Sequence, residues 1–438
     1  MSDNKISTYV ATAVGLGAII GAGIFTLSGT VIALAGYWSL LAFLMVGTVA
    51  MAVSLEIGEL VSIFPEANGA AYSYVYEAFG SELGFITGVL LYFSFSSSIA
   101  VVALGFASYL ASLIGVSVAT YGKIIAIGII LVLTLVNLMG IRKAARVDFV
   151  LVVIKISILL IFIAYAFNIS FALNGFENLT SPPPSSNIID SIFRASVAIF
   201  FAYSGFQTIS TIAMDVRGGP NSAAKAILSS VLISMAIYIL VAISLLFLVP
   251  ARSYSINADP LAFALNSVHA PYILKIVVDI GALIATTSAT LAMILSSSRV
   301  LYQISVDGLL PKSLRAYNKE RDVAKNGVII SAIIGIIMLF SGNVYIIASI
   351  SNFGLLFSYL IVGFALLHFR RRGVERTFSS PMYPYLTIVA TVGILAFMFG
   401  MPREALQFGI ILLLGLIGVY YFLVEFEKKK PEKIKLFK

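Results

Sequence analysis

The chain has 438 residues, of which 60% are hydrophobic and only 11% charged, and its formal net charge is +8. This composition excludes an ordinary soluble domain, because about 20 apolar residues suffice to cross a bilayer and such windows run almost end to end. The lack of cysteine excludes disulfides and thiolate metal sites, and two histidines argue against a histidine-rich metal centre. We therefore expect an all-α integral membrane protein with no cofactor.

Apolar windows bounded by turn and charge signals predict twelve membrane spans. The predicted spans are 8–36, 38–64, 83–114, 123–139, 147–166, 188–214, 223–249, 271–301, 326–340, 344–367, 382–399 and 404–422. With a cytoplasmic N-terminus, the inside loops collect most of the Lys and Arg residues, as in 142–146, 312–325, 370–376 and the basic tail. The positive charge therefore indicates topology and contact with anionic membrane lipid rather than nucleic acid. We expect a multi-pass plasma-membrane protein with both termini in the cytoplasm.

The first predicted span contains the glycine-rich stretch GLGAIIGAGIF, residues 15–25. Gly17 and Gly21 are four apart, so one interpretation is a small-residue seam against another helix. A dinucleotide-binding loop is excluded, because no strand precedes the stretch and the next acid is Glu56. The third interpretation is that the helix unwinds around Gly21, Ala22 and Gly23.

An unwound segment inside a membrane indicates a binding site. Unsatisfied backbone groups in hydrocarbon are costly, so a broken helix persists only where it faces protein or a watery cavity. The free N–H groups of the second half-helix suit a carboxylate and the free carbonyls of the first half suit an ammonium, and an α-amino acid carries both. Transporters built from inverted repeats have a second broken span five helices later. The sixth predicted span contains FFAYSGFQTISTIAMD, with Gly205 between apolar halves.

Lys155 is a lone charge in the apolar fifth span, on the order of 10 Å along the helix from Asp148. Burying an ammonium costs about 2.5 to 3.5 kcal/mol at a helix centre, so something must compensate or use it. One interpretation is a structural pair with a carbonyl or a hydroxyl. The other is a functional group that gains and loses a proton, because burial disfavours the charged form.

These features resemble the amino acid, polyamine and organocation (APC) transporter superfamily over nearly the whole chain. The resemblance is carried by the two interrupted spans and by ELVSIFPEANGAAYSYVYEAFG and SSSRVLYQISVDGLLPKSL, residues 59–80 and 296–314. It implies a LeuT-like fold with discontinuous helices 1 and 6. Residues 1–187 would form the first inverted repeat of five helices and 188–369 the second, followed by two further spans and a basic tail in 370–438.

The resemblance also implies which residues bind the substrate. Backbone N–H groups of Ala22 and Gly23 would hold the carboxylate, the carbonyls of Ile20, Phe201 and Ser204 would receive the amine, and the Phe201 ring would cover the substrate. Gln207 stands where several relatives have an acid, which argues against a cationic substrate. The predicted site comprises Ile20, Gly21, Ala22, Gly23, Ile24, Phe201, Ser204, Gly205 and Gln207.

Lys155 resembles the fifth-span lysine of proton-coupled prokaryotic members, whose amine occupies the place of sodium in sodium-driven relatives. The implied partners are the carbonyl of Gly17 and the hydroxyls of Thr287 and Ser288, in the run that begins at Thr286. The resemblance thus implies proton coupling without sodium. Our first hypothesis is a secondary active transporter that takes up amino acids, neutral and over a broad range, with protons by alternating access.

Other functions stay open at this point. An exchanger of amino acids or polyamines would leave Lys155 structural, whereas a membrane enzyme or an ion channel would need a reactive cluster or a selectivity ring that the sequence lacks. Glu56 and Glu59, near the inner end of the second span, are expected to face an interior or interfacial partner. The pairs Asp190 with Arg194 and Lys275 with Asp279 are interpreted as structural ion pairs or as an outer gate, and Asp215 with Arg217 as an inner gate.

Overall fold

The computed structural model describes residues 5–64, 71–140, 144–180, 186–206, 209, 216–318, 321 and 323–427, with the side chains of 144–149 and 424–427 left undescribed. The described residues are almost entirely helical. The helices are α1 (Thr8–Ile19), α2 (Ala22–Ala35), α3 (Ser39–Ile63), α4 (Ala71–Phe79), α5 (Ser81–Ile114), α6 (Val118–Met139), α7 (Ala144–Ile169), α8 (Gly175–Leu179), α9 (Ile188–Tyr203), α10 (Gly219–Leu248), α11 (Pro260–Ser267), α12 (Tyr272–Val306), α13 (Lys325–Met338), α14 (Val344–Arg371), α15 (Tyr385–Phe399) and α16 (Arg403–Glu427). Strands β1 (Tyr317–Asn318) and β2 (Val323–Ala324) form a small antiparallel pair.

Each of the twelve predicted spans corresponds to one of these helices, except the first, which is the pair α1 and α2. Among the described residues, eight helical segments are long and apolar enough to cross a membrane, and α1, α13 and α15 are shorter apolar helices. The chain is therefore an all-α, multi-pass membrane protein. Helix α6 begins at Val118 rather than at Lys123, so that lysine lies within the helix and packs over the Phe340 ring.

The first interruption separates α1 from α2 by two residues, Ile20 and Gly21. Their backbone angles, φ −76° and ψ 63° at Ile20 and φ −95° and ψ −140° at Gly21, lie outside the helical region. The unwound segment is therefore Ile20 and Gly21, and it begins one residue earlier than the predicted segment of Gly21, Ala22 and Gly23. Ala22 and Gly23 already belong to α2.

The second interruption follows α9, where the chain leaves helical geometry at Ser204 with ψ 151°. Gly205 has φ +112°, a conformation that residues with a Cβ rarely adopt, so glycine is required at this turn. The first predicted span is therefore a discontinuous helix, and the helix of the sixth span ends at Tyr203, well inside the predicted range 188–214.

Packing brings these interruptions into the centre of the bundle. Helix α2 packs along α9, α10 lies against both α1 and α3, and α5 packs along α12 and α14. One large apolar core and a second, smaller apolar cluster fill the spaces between the helices. Helices α6, α15 and α16 have exposed leucine, isoleucine and phenylalanine side chains, which we expect to face lipid.

The end of the bundle at which α3 and α14 finish, called the basic end below, is held by a network around Glu59. This fully buried carboxylate accepts hydrogen bonds from Arg370 Nε at 2.7 Å and from the backbone N–H of Ser380 at 2.8 Å. Arg370 Nη2 also binds it, and Arg376 Nε lies 3.2 Å away. Glu59 thus has an interfacial partner, as its position in the sequence suggested.

Candidate functional site

The two interruptions meet in the middle of the protein because glycine allows the backbones to approach closely. A Cβ at Gly23 would overlap the Cα of Ala202 in α9, and a Cβ at Gly205 would lie 2.5 Å from the carbonyl oxygen of Ala18 in α1. Both helices of the first break, α1 and α2, thus lie directly against the end of α9 and the turn that follows it. The seam interpretation of the glycines also holds in part, since Gly17 leaves room for Val152 of α7.

The start of α2 presents backbone donors without helical acceptors. The first N–H groups of a helix, here those of Ala22, Gly23 and Ile24, have no partner within the helix. Gly21 precedes them and has no side chain that could cap them. These groups carry the positive end of the helix dipole, and Ala22 and Ile24 are buried from bulk solvent. This arrangement suits a carboxylate.

The carbonyls at the ends of α1 and α9 meet a single tyrosine hydroxyl. Tyr238 of α10 is fully buried, and its Oη lies 2.8 Å from the carbonyl oxygen of Ile19 and 2.9 Å from that of Ala202. The two carbonyls share the single proton of this hydroxyl, so Tyr238 links the end of α1 to the end of α9. Nothing in the sequence singled out this residue, because it is one tyrosine in an apolar span.

Two of the carbonyls assigned to the amine by resemblance lie at the second break. The Phe201 carbonyl accepts hydrogen bonds from the backbone N–H of Ser204 at 3.2 Å and from its Oγ at 2.7 Å. Ser204 itself is outside the helix, and its backbone leads into Gly205. Gln207, the remaining predicted member of the site, lies outside the described residues, as does Asp215.

Apolar side chains surround the junction of the two breaks. Ala22 and the nearly buried Phe201 belong to one apolar cluster with side chains of α5, α12 and α14. Its other members include Leu27, Ile99, Val102, Ile294, Ile347 and Ile350. Such surroundings suit an uncharged, apolar group rather than a cation.

Lys155 of α7 is 3% exposed and reaches towards the first break. Its Nζ donates hydrogen bonds to the carbonyl oxygen of Gly17 at 3.2 Å and to Ser288 Oγ of α12 at 3.3 Å. Thr287, also predicted as a partner, is the neighbour of Ser288 in α12 but takes no part in these two bonds. The amine therefore links α7 to α1, just before the unwound segment, and to α12.

Two further pairs of charges predicted from the sequence lie in α9 and α12. Asp190 and Arg194 form an exposed ion pair at 3.5 Å in the first turns of α9. Asp279 is 5% exposed in α12, one turn beyond Lys275. Within the described part of the chain, no group of three or more His, Cys, Asp or Glu side chains lies together in a way that could hold a metal ion.

We expect Gly23→Ala to lower the free energy of unfolding by about 1 to 3 kcal/mol, because the added methyl group would overlap the backbone of α9. The matched control is Gly128→Ala in α6, where a Cβ has open space, and this change should be neutral or stabilise by up to about 1 kcal/mol. Thermal unfolding of the purified proteins measures both. Equal midpoints for the two variants would contradict the close contact between α2 and α9.

Known proteins resemble this chain in fold or in sequence. A manganese transporter variant from Eremococcus coleocola has a TM-score of 0.61 at 13% identity, covering 97% of this chain and 98% of that one. The branched-chain amino acid permease BcaP of Lactococcus lactis is 30% identical, covering 97% of this chain and 95% of its own. The methylthioribose transporter of Bacillus subtilis is 26% identical, with coverage of 91% and 88%.

The structural similarity supports the LeuT-like fold alone, whereas the sequence similarity reaches further. The profile of the family described as Amino acid permease matches residues 6–420, which include both interrupted helices, Lys155 and the Glu59 network. The chain therefore belongs to the amino acid permease family of the APC superfamily.

Proposed function

We propose that this protein is a secondary active transporter that takes up neutral amino acids together with protons, without sodium, by alternating access. The observation that carries the proposal is the junction of the two breaks. The uncapped N–H groups at the start of α2 lie against α9, whose end carries carbonyl groups and the Phe201 ring. A zwitterion presents the complementary charges, a carboxylate and an ammonium.

An apolar substrate side chain, of the kind that a branched-chain amino acid carries, fits this proposal. The cluster around Ala22 and Phe201 consists of apolar residues, and burying a charge there without a partner would be costly. Two relatives are named for branched-chain amino acids, which agrees with that chemistry. The residues we assign to the substrate remain those from Ile20 to Ile24 and from Phe201 to Gln207.

The membrane arrangement is part of the proposal. We place residues 1–187 and 188–369 as two inverted repeats, with both termini in the cytoplasm of a cell whose plasma membrane holds the protein. The concentration of Lys and Arg in alternate loops supports this orientation. The basic end would then face the cytoplasm and anionic lipid headgroups.

Lys155 is the proposed proton carrier. Its Nζ donates hydrogen bonds to the Gly17 carbonyl of α1 and to the Ser288 hydroxyl of α12, two groups that do not themselves titrate near neutral pH. The Gly17 carbonyl lies three residues before the unwound segment. Loss of the proton would weaken the hydrogen bonds to α1 and α12, and this coupling would allow α1 to move once the amine is neutral.

We expect Lys155→Ala to abolish the response of amino acid uptake to an inward proton gradient in sodium-free proteoliposomes. For one proton per substrate, each pH unit supports at most about a tenfold accumulation in the wild type. Lys123→Ala, which removes an exposed lysine of α6, is the matched control and should keep the response. Wild-type uptake that needs preloaded amino acid, whatever the gradient, would instead establish an exchanger.

We expect Tyr238→Phe to lower uptake about fivefold, because the carbonyls of Ile19 and Ala202 lose a hydrogen bond worth about 1 kcal/mol. The control is Tyr254→Phe, which removes an equally buried hydroxyl that donates to the Leu245 carbonyl at 2.7 Å. Both variants should lose similar thermal stability. Equal uptake by both would show that the Tyr238 hydroxyl has no role at the breaks beyond stability.

A further inference from the structure

Glu56 is a buried acid that neither the substrate site nor Lys155 accounts for. It lies in α3 with no exposed surface, and neither of its carboxyl oxygens has a hydrogen-bond partner. Gly363 of α14 packs against it, since a Cβ at that glycine would lie 3.4 Å from each oxygen. The polar side chain beside the carboxyl is that of Thr387 in α15.

Glu59, one turn closer to the basic end, differs from Glu56 because its carboxylate has several partners. The two acids are three residues apart on the same face of α3, about 4.5 Å along the helix axis. Glu59 binds Arg370, Arg376 and Ser380, so both nearby guanidinium groups are directed to Glu59 rather than to Glu56.

Charged groups on the other elements around α3 are turned away from Glu56 or distant from it. On α14, His368 packs against the Phe79 ring. Helix α10 contributes Lys225, which is exposed. Helix α9 contributes Asp190 and Arg194, an exposed pair beside Tyr345 at the opposite end of α14 from Arg370.

An ionised carboxylate without a partner in such surroundings is far more costly than a neutral carboxylic acid. We propose that Glu56 is a second proton-binding site, which holds its proton in the present state and releases it at the basic end during transport. The release rests on the proposed function. The O–H bond of the carboxylic acid breaks and the proton passes to water at the basic end. Arg376 then pairs with the new carboxylate, while Arg370 stays on Glu59, so that each carboxylate keeps one guanidinium partner.

Infrared spectroscopy of the full-length protein in lipid tests the protonation directly. We expect the carbonyl stretch of a protonated carboxylic acid at neutral pH, and Glu56→Gln should remove the intensity of one such group. The matched control is Glu82→Gln, which changes a glutamate in the first turn of α5 that binds Tyr421, and it should leave the band unchanged. A band that survives Glu56→Gln would overturn the proposal, whatever the transport activity.

Uptake at varied internal pH tests the release. Wild-type uptake should fall as the vesicle interior is acidified at constant external pH. Glu56→Gln, a neutral mimic of the bound acid, should weaken that dependence, and the part that remains would come from Lys155. Glu56→Asp should restore part of it, whereas a merely structural role predicts unchanged dependence with altered stability. If the wild type shows the infrared band but no proton-driven uptake, the transport proposal fails and the protonation of Glu56 stands. Unchanged internal-pH dependence in Glu56→Gln would overturn the release.

Discussion

Backbone hydrogen bonding inside the membrane is the constraint on which the rest of this structure depends. A helix that ends at Ile19 and begins again at Ala22 leaves N–H and C=O groups that lipid cannot satisfy. Gly23 and Gly205 let α1 and α2 approach the end of α9 closely, and Tyr238 donates to carbonyls of α1 and α9. The first N–H groups of α2 have no acceptor within the helix and no side-chain cap, so we propose that an anionic group binds there.

Buried charge is handled in three different ways around this centre. Glu59 is surrounded by guanidinium and backbone donors and joins α3 to the end of α14. Lys155 donates hydrogen bonds to a carbonyl of α1 and a hydroxyl of α12, so it joins α7 to both helices. Glu56 meets no partner. A carboxylate with several guanidinium and N–H donors, such as Glu59, keeps its charge, whereas a buried carboxyl without a hydrogen-bond partner, such as Glu56, favours binding a proton.

Some of this arrangement could be predicted from the sequence because its signals are local. Glycine within an apolar span indicated both interruptions, and a lysine in an apolar helix indicated a site that needs partners. The sequence alone did not show that Gly21 and Gly23 have different roles. Gly21 lies at the break, whereas Gly23 lies within α2 and allows α9 to pack closely against it. Tyr238 and the pairing of Glu59 with Arg370 could not be foreseen, because each depends on contacts between distant parts of the chain.

The central claim is that an amino acid and a proton cross the membrane together at the junction of the two breaks. The most direct measurement is the external pH of lightly buffered, sodium-free proteoliposomes when a neutral branched-chain amino acid is added, with the membrane potential clamped. The account predicts a rise in external pH that accompanies uptake and is absent in vesicles without protein. Accumulation of the amino acid with no change in external pH would contradict it.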